Sequence, residues 1–158
     1  MGLEEVIGEL ARNPTFAVIE PEALRLIAFS AETRILRAGD VLFRRDEISN
    51  DGFVVLAGSI AMDASADGAA AARIVRPPGL IGDAALLTQT RRPASAIARE
   101  PSTVLRISRQ LFQRVLREFP DSAERLRQSL RARLLQFTSE LGALRRNTLT
   151  PEGGEQAG

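Results

Sequence analysis

Pro78-Gly79-Leu80-Ile81-Gly82-Asp83-Ala84-Ala85-Leu86-Leu87-Thr88-Gln89-Thr90-Arg91-Arg92-Pro93-Ala94-Ser95-Ala96 is the stretch on which the reading of this chain turns. Gly82 lets the backbone turn with no Cβ in the way, and Ala84–Leu87 suits one short helical turn. Such a turn opens with N–H groups that lack intrahelical partners, and these attract anions. Arg92 adds a planar cation that can fork onto a phosphate. Asp83 is the odd member, because a carboxylate beside a phosphate is repulsive unless it has a partner of its own. A sugar hydroxyl is such a partner, and phosphate next to ribose points to a nucleotide.

Outward from this stretch, residues 32–108 hold short β-prone runs: Arg34–Arg37, Val41–Phe43, Phe53–Ala57, Ser59–Met62, Arg73–Arg76, Ser95–Ala98 and Thr103–Ile107. Turn residues separate them at Ala38-Gly39-Asp40, Gly58, Asp67-Gly68 and Pro77-Pro78-Gly79. No long helix intervenes, so the pattern predicts an antiparallel barrel or sandwich and not parallel βαβ units. The charged run Arg44–Asp51 reads as a solvated turn, since the acid spacing of a calcium loop is missing. The small residues Ala64–Ala72 read as a hairpin tip.

Before the strands, Leu3, Val6, Ile7 and Leu10 recur at helical spacing until Asn13-Pro14 breaks them. Pro21 suits the first turn of a second helix whose apolar face is Ala23, Leu24, Leu26 and Ile27. After the strands, Ser108 is placed to cap a helix over Arg109–Glu118, which Pro120 ends. Asp121 then starts a longer helix, with Glu124 three positions on as in a capping box. It runs to about Arg146. Leu130, Leu134, Phe137, Leu141 and Leu144 recur along it at spacings of 4, 3, 4 and 3, a coiled-coil seam. Packing against the strands and pairing with a second copy both account for it, and dimerisation through 130–144 is the expectation carried forward. Thr150–Gly158 lacks large apolar anchors and reads as a disordered tail.

Composition narrows the chemistry. The 158 residues are 44% hydrophobic, with seven Phe, no Trp, no Tyr, no Cys and no His, and every basic residue is Arg. Thiolate, imidazole, Schiff-base and phenol catalysis are therefore closed to it, and zinc, haem and iron–sulfur sites lose their usual ligands. The expectation is a protein with no catalytic residues, no bound metal and no cofactor. Lys+Arg 21 against Asp+Glu 20 leaves no overall basic footprint for nucleic acid. Arginines outnumber acids over 121–146, but a solvated helix face explains that, and no direct DNA binding is expected. No apolar run nears the roughly 20 residues that span a bilayer. Met1–Glu5 carries no basic leader, so the expected location is the cytoplasm.

The central stretch resembles the phosphate-binding cassette of the cyclic-nucleotide-binding domains, whose pattern runs Gly-Glu-x-Ala-Leu-Leu and then Arg-x-Ala-Ser/Thr. Gly82-Asp83-Ala84-Ala85-Leu86-Leu87 and Arg92-Pro93-Ala94-Ser95 stand in those places. Gly39–Phe43 and Phe53–Ile60 are similar to the family's roll strands. Arg133–Glu140 is similar to the long helix of the catabolite-activator (Crp/Fnr) branch of bacterial regulators.

The resemblance implies a mainly β fold with flanking helices: an antiparallel double-stranded β-helix, or jelly roll, over residues 31–108. The cassette occupies 79–96, N-terminal helices 1–30 and C-terminal helices 109–149. It implies that Arg92 pairs with a cyclic phosphate, helped by the backbone N–H groups of Ala84 and Ala94. Asp83 and the Gly82 backbone would hold the ribose 2′-hydroxyl. Thr138 and Ser139 would meet the base in a dimer. Asp83 replaces the family's Glu and is shorter by about 1.5 Å, while Asp46 stands where a glycine is usual. Family members that favour cyclic GMP often carry a hydroxyl beside the arginine, so Pro93 tilts the expectation to cyclic AMP. The function implied is a sensor that signals to a partner protein by moving its C-terminal helix. Two alternatives remain at this point: a degenerate roll serving as a dimerisation module, and the effector portion of a transcription regulator, since the chain ends about where a helix-turn-helix would begin.

Overall fold

The computed structural model describes residues 1–64, 73–133, 135, 136 and 142. The order is α1 (Leu3–Arg12), α2 (Pro21–Ser30), β1 (Glu32–Leu36), β2 (Val41–Phe43), β3 (Ile48–Ser49), β4 (Asp51–Ala57), β5 (Ile60–Asp63), β6 (Arg73–Val75), β7 (Leu80–Ile81), α3 (Asp83–Leu87), β8 (Thr90–Arg91), β9 (Ser95–Ala98), β10 (Ser102–Ser108) and α4 (Arg109–Glu118). A fifth helix, α5, covers residues 120–133. One sheet runs β1-β10-β4-β7, a second runs β2-β9-β5-β6, and β3 with β8 forms a two-stranded ribbon. Every pairing is antiparallel. The jelly-roll expectation holds.

The central strand β4 is buried along Gly52–Leu56 without alternation, because both of its faces are covered. Val54 and Leu56, with Leu105 and Ile107 of β10, pack against Leu10, Phe16, Leu24, Ile27, Phe112 and Leu126 of the helical layer. Phe53 and Val55, with Val104, face the other way, into the roll against Phe43, Ile60, Val75 and Ile81. An apolar run with no period of two is what a strand between two cores requires. Phe16 and Phe112 meet edge-on, centroids 6.1 Å apart at 86°, a contact worth about 0.5–1.5 kcal/mol beyond its area.

Helix boundaries follow local chemistry. Asn13 ends α1 and then ties it down: its Oδ1 accepts from Thr15 N at 2.8 Å while its Nδ2 donates to Pro78 O at 2.8 Å. Ser108 caps α4 by accepting from Leu111 N, as the sequence predicts. Pro120 departs from expectation. It does not merely stop α4; it is the first helical residue of α5, where its missing N–H costs nothing. Glu124 makes no capping box either, because Arg127 and Gln128 take its carboxylate. Of the expected seam, Leu130 packs against the helical core. Leu134, Phe137, Leu141 and Leu144 lie outside the described residues, as do residues 65–72 of the expected hairpin tip and the tail 150–158. Among the described residues no helix is long and apolar enough to cross a membrane.

Candidate nucleotide-binding site

Gly82 sits at φ 77°, ψ 41° ahead of α3, a left-handed conformation that a side chain disfavours by roughly 1–2 kcal/mol. A second constraint acts on the same atom: a Cβ at Gly82 would lie 2.5 Å from Arg92 Nη1. The chain turn and the arginine therefore share one space. This brings Gly82 and Arg92, ends of the expected motif, into contact.

Arg92 is only 4% exposed. Its backbone is fixed on both sides, donating from N to Glu47 O and accepting at O from Asp46 N, each at 2.8 Å. The side chain crosses the roll with Cζ 4.1 Å from the Phe43 ring centroid and 5.7 Å from that of Phe53. Nη2 donates to Asp51 Oδ1 at 2.6 Å and to Asp51 O at 2.9 Å. Nη1 is buried with no hydrogen-bond partner. Burial draws the guanidinium below its ordinary value, and the charges of Asp51 and Glu47, with the Asp51 hydrogen bond, pull it back.

Asp51 is the residue that sequence reasoning missed. The run Arg44–Asp51 is not simply a solvated turn: Ser49 is 1% exposed, and the Asp51 side chain is 14% exposed at the head of β4. Its other oxygen, Oδ2, accepts from Arg106 Nε at 2.6 Å. Arg106 in turn lies 3.5 Å from Glu32, which Arg34 Nε also approaches at 3.0 Å. Arg92, Asp51, Arg106, Glu32 and Arg34 thus form an alternating chain of charges. Four of them, Glu32 excepted, line a cavity of about 200 Å³ with Phe43, Phe53 and Asn50. A signal did exist: Asp51 has the inward parity of Phe53 and Val55.

The rest of the cassette is less enclosed. Asp83 and Ala84 are exposed, Pro93 is exposed, and Ala94 is 7% exposed. The Asp83 carboxylate does not reach for solvent alone; its Oδ1 accepts from Ala84 N at 2.9 Å. Arg91 points outward and donates to Asp46 O at 3.0 Å. Asp46 takes φ 71°, so the loop keeps the turn a glycine would make. Asp83, Ala84, Leu86 and Leu87 form one wall of an apolar groove of about 250 Å³, with Phe112, Leu126 and Leu130 opposite. Thr138 and Ser139 lie outside the described residues. Among the described residues no group of three or more His, Cys, Asp or Glu could hold a metal ion.

A roll of two antiparallel sheets, a glycine-led helical turn and a buried arginine beneath it define a class of regulatory ligand-binding domain. The chain belongs to the cyclic nucleotide-binding domain family, whose model matches residues 33–119. It is 36% identical to a cyclic nucleotide-binding-like protein from Brucella abortus, with a TM-score of 0.65, covering 72% of this chain and 98% of that one. The N-terminal domain of a transcriptional regulator from Streptomyces coelicolor is 27% identical, with a TM-score of 0.77 and coverage of 84% and 94%. The catabolite activator protein of Thermus thermophilus is 25% identical, TM-score 0.68; the match covers 84% of this chain and 63% of that one. No curated protein matches.

Proposed function

We propose that this chain is a cyclic-nucleotide sensor of the Crp/Fnr type, in the cytoplasm, binding cyclic AMP in preference to cyclic GMP. The observation that carries this reading is Arg92 Nη1: a charged donor, buried, without a partner, pressed against the glycine that opens the cassette. A donor so placed costs stability, and a phosphate oxygen beside Gly82 would satisfy it. Gly82, Asp83, Ala84, Arg92, Pro93 and Ala94 form the seat, with Thr138 and Ser139 supplied toward the base. A chain without thiol, imidazole or amine nucleophiles suits a binding role more than catalysis.

The output runs through α5. Its Arg125 donates to Val18 O at 2.8 Å, its Ser122 donates to Glu20 Oε2 at 3.1 Å, and Leu126 and Leu130 face the cassette across the apolar groove. Closing the cassette on a ligand changes the shape of that groove and shifts the population of helix positions. A partner protein reads the shift, with the chain paired to a second copy through 130–144. The Asp51–Arg92 ion pair favours one rival reading, a roll that satisfies its own arginine and serves only as a scaffold.

Calorimetry with cyclic AMP and cyclic GMP separates the two. Arg92→Ala is expected to weaken binding by about 10- to 150-fold, the worth of a charged hydrogen bond. No heat and no thermal shift from either nucleotide in large excess would leave the scaffold.

A further inference from the structure

Among the described residues four arginines are buried or half-buried: Arg34, Arg92, Arg106 and Arg109. The first three stand on acids, Arg34 on Glu32, Arg92 on Asp51, and Arg106 on both. Arg109 has no carboxylate partner among the described residues. Its Nη1 is divided between Ser49 O and Ala85 O, and its Nη2 goes to Asn50 Oδ1, each at 3.3 Å. These are long bonds to neutral acceptors, poor compensation for a charge withdrawn from water.

The surroundings decide what could complete it. β10 passes into α4 at Ser108, and Arg109 N donates to Asn50 O at 2.8 Å, which closes this corner against the turn between β3 and β4. A cleft of about 290 Å³ opens there, lined by Asn50, Arg106, Ser108, Arg109, Gln110 and Gln113. Two guanidinium groups, three carboxamides and a hydroxyl line it, and no acid does. Asp51, the nearest acid in the chain of charges, is turned to Arg92 and Arg106. The first-turn amides of Arg109 and Leu111 are taken by Asn50 O and Ser108 Oγ, so the attraction comes from side chains and not from the helix end. We propose that this cleft is an oxyanion site, separate from the cassette, that takes the phosphate group of a small phosphomonoester. Two guanidinium groups suit a dianion, and their forked donors match phosphate oxygens. The cleft is larger than a lone phosphate, and the carboxamides of Gln110 and Gln113 serve hydroxyl groups on the rest of the ligand.

The test follows backbone amide shifts by NMR while inorganic phosphate, glycerol phosphate or acetate is added at constant ionic strength. Both phosphates are expected to give saturating shifts at Asn50 and residues 106–113, with the ester the tighter and acetate much the weakest. Arg109→Gln is expected to weaken binding of glycerol phosphate by about tenfold or more, and Arg109→Lys to recover part of that loss. Gln110→Glu guards against a folding defect: an acid in the first turn of α4 favours the helix yet repels phosphate. Its affinity should fall while its melting temperature holds or rises. Shifts confined to Gly82–Arg92 would put the phosphate in the cassette and overturn the proposal. So would acetate matching the phosphates, or a Gln110→Glu affinity equal to wild type. Inorganic phosphate binding as tightly as the ester would overturn the ligand class.

Discussion

Removing Asp51 should damage the fold more than its position at a strand end implies. Asp51→Ala deletes both carboxylate bonds, to Arg92 and to Arg106, each 2.6 Å long. The two losses are unequal. Arg106 is 30% exposed in its side chain and can be rehydrated, so that half is worth about 0–1 kcal/mol. Arg92 is 4% exposed, and orphaning a buried charge costs about 3–5 kcal/mol. Against a total stability of about 5–15 kcal/mol for a domain, the variant sits near the edge of folding. With no Trp or Tyr in the chain, urea unfolding is best followed by far-ultraviolet circular dichroism. For a slope of about 1–3 kcal/mol per molar, the midpoint should fall by at least about 1 M. Asp51→Ala/Arg92→Met should recover part of the loss, because it removes the unpaired charge and keeps apolar bulk between Phe43 and Phe53. A single variant within about 0.5 kcal/mol of wild type, or a double variant no better than the single, would refute the account.

Gly82→Ala should cost about 1–2 kcal/mol from its positive φ and also displace Arg92, so nucleotide affinity should drop with it; unchanged affinity in a folded variant would separate Gly82 from the site. Asp46→Gly should gain up to about 1 kcal/mol by relieving φ 71°, raising the melting temperature by a few degrees at most; a lower melting temperature would contradict the strain. Glu32 is held below the ordinary glutamate value by the hydrogen bond and charge of Arg34, with Arg106 adding to it. A depressed folded value means its contribution is present above the unfolded value and fades as pH falls through the folded one. A carbon-detected titration should show the low value in the wild type and a rise in Arg34→Ala; no rise would detach Glu32 from Arg34.

The roll was legible because strands three to seven residues long carry their own punctuation, and the cassette because glycine, acid and arginine recur in a spaced pattern. What escaped had at most a faint local signature, such as the inward parity of Asp51 with Phe53 and Val55. The strands β3, β7 and β8 are two residues each, too short for a period of two to declare itself. Asp51 stands among six other charged or polar residues, and its partner lies 41 positions away, so only the closed roll reveals the pair. Pro120 reads as a stop, yet proline suits a helix's first turn as well as the end of the one before it.

The ribbon of β3 and β8 has a mechanical result. Because Arg92 is hydrogen-bonded through both main-chain groups to residues 46 and 47, the backbone that carries the buried guanidinium is tied to an exposed surface loop. On the proposed reading, sensitivity to ligand would then be adjustable through that loop: substitutions at 44–46, which do not line the cavity around Arg92, would move the backbone that presents the arginine.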